Sequence, residues 1–272
     1  MQFLAITWTV NPDIISSPIT VRWYGLLFAT AFFLGYYLLQ RIFKKDGVPE
    51  EWLDKILVYV MVGTVVGARL GHVFFYDWDY YSKNLSEIPM VWKGGLASHG
   101  AGIGIITALW LFSKYVTKKN ILWSLDRVAI TVALGAFFIR LGNLMNSEIV
   151  GKPTGSDWGF IFPLRDCRMP LNQCDFSTLP VRHPTQLYES FSYLIVFGVL
   201  IFLFSKKDWK SYQGRTFGLF MALLFIVRFL IEFLKENQSA FEDNLALNMG
   251  QNLSIPFILV GLYFILRSKK TA

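Results

Sequence analysis

Apolar residues in this chain gather in runs about as long as a bilayer is thick, and polar residues fill the gaps. A spanning helix needs ~20 predominantly apolar residues. Runs of that kind lie at 21–43, 56–76, 96–115, 127–145, 185–204, 216–235 and 252–267. The pattern predicts an all-α, polytopic integral membrane protein with about seven transmembrane helices. The longest gap, 146–184, makes a long loop between helices four and five. No internal repeat is visible and no linker divides the chain, so residues 1–272 read as a single membrane-embedded domain.

Composition agrees: 54% of residues are hydrophobic and only 17% are charged, less charge than an average soluble domain carries. The net charge of +7 would suggest nucleic acid as a partner for a soluble protein. Here the basic residues fall in alternate connections, so they read as topology anchors, and no nucleic-acid partner is expected. Arg41, Lys44, Lys45, Lys118, Lys119, Lys206 and Lys207 belong to the richer set of connections. The positive-inside rule places that set in the cytoplasm. The N-terminus is then outside, the C-terminus cytoplasmic and the loop 146–184 extracytoplasmic. Cys167 and Cys174 lie in that loop, where an oxidising compartment favours a local disulfide. With no CxxC pair, neither a metal site nor a redox motif is indicated. The first residues lack a basic n-region and a sustained apolar run, so no cleaved signal peptide is expected.

Charge inside the apolar runs points to chemistry. Arg69, Arg140 and Arg228 each interrupt one, and a charge at membrane depth costs at least ~2.5 kcal/mol. Arg140 and Asn143 share a helix face, and Asn146 or Ser147 extends it by a turn. Glu148 and Gly151 follow, with the helix expected to break at GKPTG. Helix caps and interhelical polar contacts would explain the asparagines, but they explain the arginine poorly. Arg228 and Glu232 are four apart, the spacing of an intrahelical ion pair that aims the arginine at an anion. His99 sits in GGLASHGAGIG and can serve as a base near neutral pH; Gly100 and Gly104 have the spacing for close helix contact. VRHPTQLYES brings His183, Gln186, Tyr188 and Glu189 to the outer interface, where a histidine is more often an anchor. Tyr24, in VRWYGLLFA, fits an aromatic belt. Two arginines at headgroup depth suit the phosphate of a phospholipid.

VRWYGL, SHGAGIG, RLGNLMNSEIVGKPT, RHPTQLYE and RFLIEFLK occur in the order found in prolipoprotein diacylglyceryl transferases, and the chain resembles that family from residue 21 to about 236. The resemblance implies a bacterial inner-membrane enzyme of seven spanning helices. It would transfer the diacylglyceryl group of phosphatidylglycerol to the lipobox cysteine of an exported prolipoprotein, releasing glycerol 1-phosphate. It carries family roles to Tyr24, His99, Arg140, Asn143, Gly151, Arg228 and Glu232. Arg140 and Arg228 would stabilise the phosphate, and Glu232 would orient Arg228. His99 would take the thiol proton, with Glu148 as the alternative base. Tyr24 and Asn143 would hold headgroup oxygens; Asn146, Glu148, Gly151 and His183 complete the substrate-binding candidates. No metal or cofactor is expected. A transporter or flippase for an anionic lipid or solute is the competing class. It should show inverted repeats and polar residues through the full membrane depth, and neither is visible.

Overall fold

The computed structural model describes residues 4–17, 20–237 and 246–270, with Ser98 described by its backbone alone. Helix dominates. The long helices are α1 (Trp23–Asp46), α2 (Glu51–Phe75), α3 (Ser98–Phe112), α4 (Ile121–Met145), α5 (Thr185–Phe204), α6 (Arg215–Glu232) and α7 (Met249–Arg267). Among the described residues, six segments are long and apolar enough to cross a membrane. They are α1, α2, α4, α5, α7 and His99–Thr117, where α3 runs on into a π-helical turn. The remaining helix, α6, has 18 residues and carries Arg215, Arg228 and Glu232.

The apolar side chains of these helices point outward. Only 17–39% of each apolar window is buried inside the protein, and Ile195, Phe202 and Leu266 stand 60–82% exposed. A soluble monomer rarely exposes such a surface. A bilayer solvates it, and the helix satisfies its backbone groups internally.

The helix ends depart from the expected spans where helix and apolar run are different things. The run 185–204 coincides with α5. Helix α2 begins at Glu51 rather than 56, and α4 at Ile121 rather than 127. The residues so added contain Glu51 and Asp54, or Asp126, which are helical without being apolar. Helix α6 stops at Glu232, before the apolar Phe233 and Leu234.

Packing divides the chain into two compact units, one of Tyr36–Val128 and one of Met1–Gly35 with Ala129–Ala272. In the first, α2 and α3 meet through glycines. A Cβ on Gly67 would lie 2.8 Å from the Cα of Gly104, and one on Gly71 would lie 2.7 Å from the Cα of Gly100. The expected role of Gly100 and Gly104 in close helix contact is what the structure shows. Arg69 is 2% exposed and has no carboxylate partner among the described residues. It donates instead to the carbonyls of Glu87, Ile88, Gly94 and Gly95, at 2.5–3.3 Å, with its guanidinium 4.9 Å from the Tyr81 ring centre. Arg69 therefore knots the loop between α2 and α3. At the other end, Arg127 pairs with Asp46 at 2.5 Å and stacks on Trp123 at 3.8 Å.

In the second unit, β1 (Leu4–Thr7) runs parallel to β2 (Trp158–Ile161) of the loop 146–184. Trp8 follows β1 and packs on the core of Leu144, Val150, Phe160 and Phe162. Its indole N–H donates to the carbonyl of Leu144 at 3.0 Å, a second donor to an acceptor that the Ser147 amide also reaches at 3.0 Å. Cys167 and Cys174 form the expected disulfide. Helices α6 and α7 meet closely at Gly218 and Gly261.

Candidate active site

The second unit brings the end of α4, the loop after it, the first turns of α5 and the end of α6 to one place. The loop is the unusual part. Helix α4 stops at Met145, so Asn146 and Ser147 do not extend the helical face of Arg140 as expected. Ser147 (φ 53°) and Ile149 (φ 56°) take the left-handed conformation, which costs an L-residue roughly 1–2 kcal/mol and is a genuine outlier for a β-branched side chain. Such strain persists only where the surroundings over-determine it. Here they do. The amide of Glu148 donates to the Asn143 carbonyl at 3.0 Å. The fully buried Gln186 and Thr185 of α5 donate to the carbonyls of Glu148 and Ile149 at 2.7 and 3.1 Å. The loop so held aims the Glu148 carboxylate back at α4, where Oε1 accepts from Asn143 Nδ2 at 2.7 Å and Asn146 Nδ2 at 3.3 Å.

Gly151 lies where three segments converge. Its amide donates to the carbonyl of His183 at 3.0 Å; Lys152 N donates to Leu234 O at 2.8 Å, and Glu236 N to Val150 O at 3.3 Å. A Cβ on Gly151 would sit 2.5 Å from His183 O and 2.9 Å from Leu234 O, both backbone atoms, so glycine alone fits. The His183 ring reaches Tyr188 OH at 3.3 Å through Nδ1. The ring of Tyr24 lies against α4 at Gly142, where a Cβ would come within 2.7 Å of it. That contact sets the phenol in the electrostatic reach of both Glu148 and Arg140.

Arg140 is held from two sides. Its Nη1 donates to Asn143 Oδ1 at 3.1 Å, and its Nε lies 3.0 Å from Glu189 Oε2. The second contact is an ion pair without hydrogen-bond alignment, since Oε2 accepts no directed bond. Arg228 differs: its Nε is buried and has no hydrogen-bond partner among the described residues. The expected Arg228–Glu232 pair is not formed among the described residues. Glu232 instead accepts from Lys235 Nζ at 3.1 Å and packs on the first turn of α7, where a Cβ on Gly250 would fall 2.5 Å from its carboxyl carbon. The cause is the end of α6: past Glu232 the chain turns, and Lys235 folds back beneath it. His99 belongs to the other unit, on the first turn of α3. It is exposed, packs on the rings of Phe75 and Tyr76 at 5.3 and 5.5 Å, and makes no hydrogen bond to a described residue.

Over residues 12–267 the sequence matches the family model described as prolipoprotein diacylglyceryl transferase. The chain belongs to the prolipoprotein diacylglyceryl transferase family. Among similar proteins, the phosphatidylglycerol–prolipoprotein diacylglyceryl transferase of Tolumonas auensis is 48% identical over 265 residues, which cover 97% of each chain. The protein of that name from Chloroherpeton thalassium is 44% identical over 268 residues, 98% of this chain and 96% of its own. The one from Cereibacter sphaeroides is 32% identical and covers 97% of each chain.

For a member of the diacylglyceryl transferase family, sequence reasoning gave no site role to four groups that build this site: Thr185, Gln186, Glu189 and Lys235, although it placed Gln186 and Glu189 at the outer interface. The first three sit on α5 with Ser190 and Tyr193, all buried. Gln186, Glu189, Ser190 and Tyr193 recur every three or four residues, a polar stripe on a helix that should otherwise be apolar. That periodicity was the available signal. Lys235 reads as a loop cation, yet it is 2% exposed.

Proposed function

We propose that this chain is a bacterial membrane enzyme that transfers the diacylglyceryl group of phosphatidylglycerol to a prolipoprotein, on the thiol of its lipobox cysteine. The observation that carries the reading is the contrast between the two arginines. Arg140 is braced at Nε and Nη1, so its guanidinium plane is set before any ligand arrives. Arg228 keeps a buried N–H with no acceptor among the described residues, which costs on the order of 1–3 kcal/mol and which an anionic oxygen would meet. A planar fork suits a phosphate better than an ammonium does.

In the reaction, the cysteine sulfur attacks the glycerol carbon bonded to the phosphate-ester oxygen. The C–S bond forms as the C–O bond breaks, and the electron pair leaves with the oxygen of glycerol 1-phosphate. Charge grows on that phosphate, and preorganised cations in a low-dielectric site stabilise it. The thiol, with a pKa of ~8.5, gives its proton to a base. His99 holds that role on family resemblance. Glu148 is the alternative, because its Oε1 is fixed by two asparagines while its Oε2 accepts no hydrogen bond from a described residue. Tyr24, Asn143 and Asn146 hold headgroup oxygens, and Gly151 and His183 join the segments that shape the pocket wall. Our reading also has seven helices, α6 included, crossing the inner membrane as one transferase domain over 1–272. The N-terminus and the loop 146–184 lie outside, and the C-terminus is cytoplasmic.

The test supplies radiolabelled phosphatidylglycerol and a lipobox peptide to the purified protein. A thioether-linked diacylglyceryl peptide that needs the cysteine is the expected product. Label moving across the bilayer with no adduct would replace the transferase by a lipid transporter.

A further inference from the structure

Four charged side chains form an alternating chain inside the second unit: Arg140, Glu189, Lys235 and Glu232. Glu189 is 0% exposed and sits at the centre. Its Oε2 lies 3.0 Å from Arg140 Nε, while its Oε1 accepts from Lys235 Nζ at 3.0 Å and from Tyr193 OH at 3.1 Å. Lys235 Nζ donates onward to Glu232 Oε2 at 3.1 Å. A fully buried carboxylate attracts the nearest cation strongly, because the low dielectric does not screen it. If Arg140 were the only cation beside Glu189, the pair would be close to neutral, and Arg140 would hold little charge for a ligand. Lys235 changes that, because it occupies the other carboxylate oxygen.

We propose that Glu189 and Lys235 are positioning residues that together set the charge Arg140 presents to the phosphate of the donor lipid. Glu189 fixes the guanidinium from its Nε edge. Lys235 takes up the Glu189 charge, so the outward nitrogens of Arg140 stay effectively cationic. Lys235 is itself held by Glu232, which gives that carboxylate a role through the chain rather than through Arg228. The inference rests on the reading that Arg140 meets the phosphate.

The two substitutions should therefore move lipid recognition in opposite directions. Kinetics would be followed with the purified full chain in mixed micelles, varying the mole fraction of phosphatidylglycerol at a fixed level of lipobox peptide. Lys235→Met should raise KM for the lipid by about tenfold, one such factor corresponding to ~1.4 kcal/mol, because Glu189 then neutralises Arg140 alone. Glu189→Gln should lower that KM and also lower kcat, because Arg140 gains charge and loses its brace. Glu189→Gln with Lys235→Met should return KM toward the parent value, and Lys235→Arg should keep both constants. A purely structural brace predicts parallel losses of thermal stability and kcat, with KM unmoved and no recovery in the double variant; that result would overturn the proposal. Should Lys235→Met fail to fold, Glu189→Gln decides alone, and an unchanged or raised KM sinks the idea. Arg140→Gln separates the two levels. If its KM for the lipid is normal, the phosphate reading fails and this inference with it. If its KM rises while the Lys235 and Glu189 variants leave KM alone, only the charge-sharing inference fails.

Discussion

Arg140 and Arg228 demand different things of a replacement. Lysine at 140 keeps a charge but loses the two-point hold of Nε on Glu189 and Nη1 on Asn143. Lysine at 228 loses the planar fork. Each Arg→Lys variant should lose activity nearly as far as Arg→Ala, by about 100-fold or more, while membrane insertion persists. Initial rates normalised to enzyme in the membrane check this; ordinary activity in both would make the arginines structural partners of carboxylates. Glu232→Gln should act differently, because its partner is Lys235 and not Arg228. Lys235 keeps Glu189, so the loss is smaller than the roughly 3–5 kcal/mol of a fully broken buried pair. It should appear as a lower melting temperature in detergent, with a milder effect on turnover than Arg228→Ala. The arginines and Asn143 were legible in the sequence because polar groups inside an apolar run stand out, and Glu148 because it follows them closely. Glu189 and Lys235 were not: one lies near a helix start and the other in a connection, where charge is ordinary. Only the fold shows that both are buried.

At the scale of elements, apolar run length marks what crosses a membrane and says little of where a helix ends. Helix α5 was legible at both ends because Pro184 precedes it and Lys206 and Lys207 follow closely. The end of α4 was hidden, since no residue type in NSEIV demands a left-handed turn; the hydrogen bonds from Thr185 and Gln186, 36 and 38 residues beyond their acceptors, impose it. That origin makes the strain testable. Ile149→Gly removes the backbone cost and should leave thermal stability equal or higher. It also frees the loop that aims Glu148, so kcat should fall. A variant with both kcat and stability raised would show that the strain does not hold the site. Arg69 is a second element-scale device. Its three nitrogens reach four carbonyls on both sides of the loop between α2 and α3, which no ammonium can span. Arg69→Lys should expose residues 85–97 to limited proteolysis in micelles while α2 and α3, joined through their glycines, stay packed. A cleavage pattern like that of the parent would remove Arg69 from that role.

For the whole molecule, the proposed orientation rests on charge. The connections that begin at Arg41, Lys114 and Lys206 each carry several basic residues close to a spanning helix, together with Arg267, Lys269 and Lys270 after α7. Each pair of these sites is separated by an even number of proposed crossings only if α6 crosses too. If α6 lay outside the bilayer, the basic stretch after α7 would fall on the opposite side from Lys206 and Lys207, against the positive-inside rule. The burial of Glu232 and of the Arg228 Nε on α6, with Glu232 paired to Lys235, weakens the usual objection to a helix with that much charge. Single cysteines at positions 157, 207 and 269, introduced after Cys167 and Cys174 are both replaced by serine, report the arrangement. An impermeant maleimide applied to spheroplasts should label position 157 strongly and positions 207 and 269 only after the membrane is opened. Labelling of 269 from outside with 207 protected would mean that α6 does not cross, and labelling of 207 with 157 protected would invert the whole topology. In the second case the arginines proposed to bind the phosphate would face the cytoplasmic leaflet, and an exported prolipoprotein could not be the acceptor.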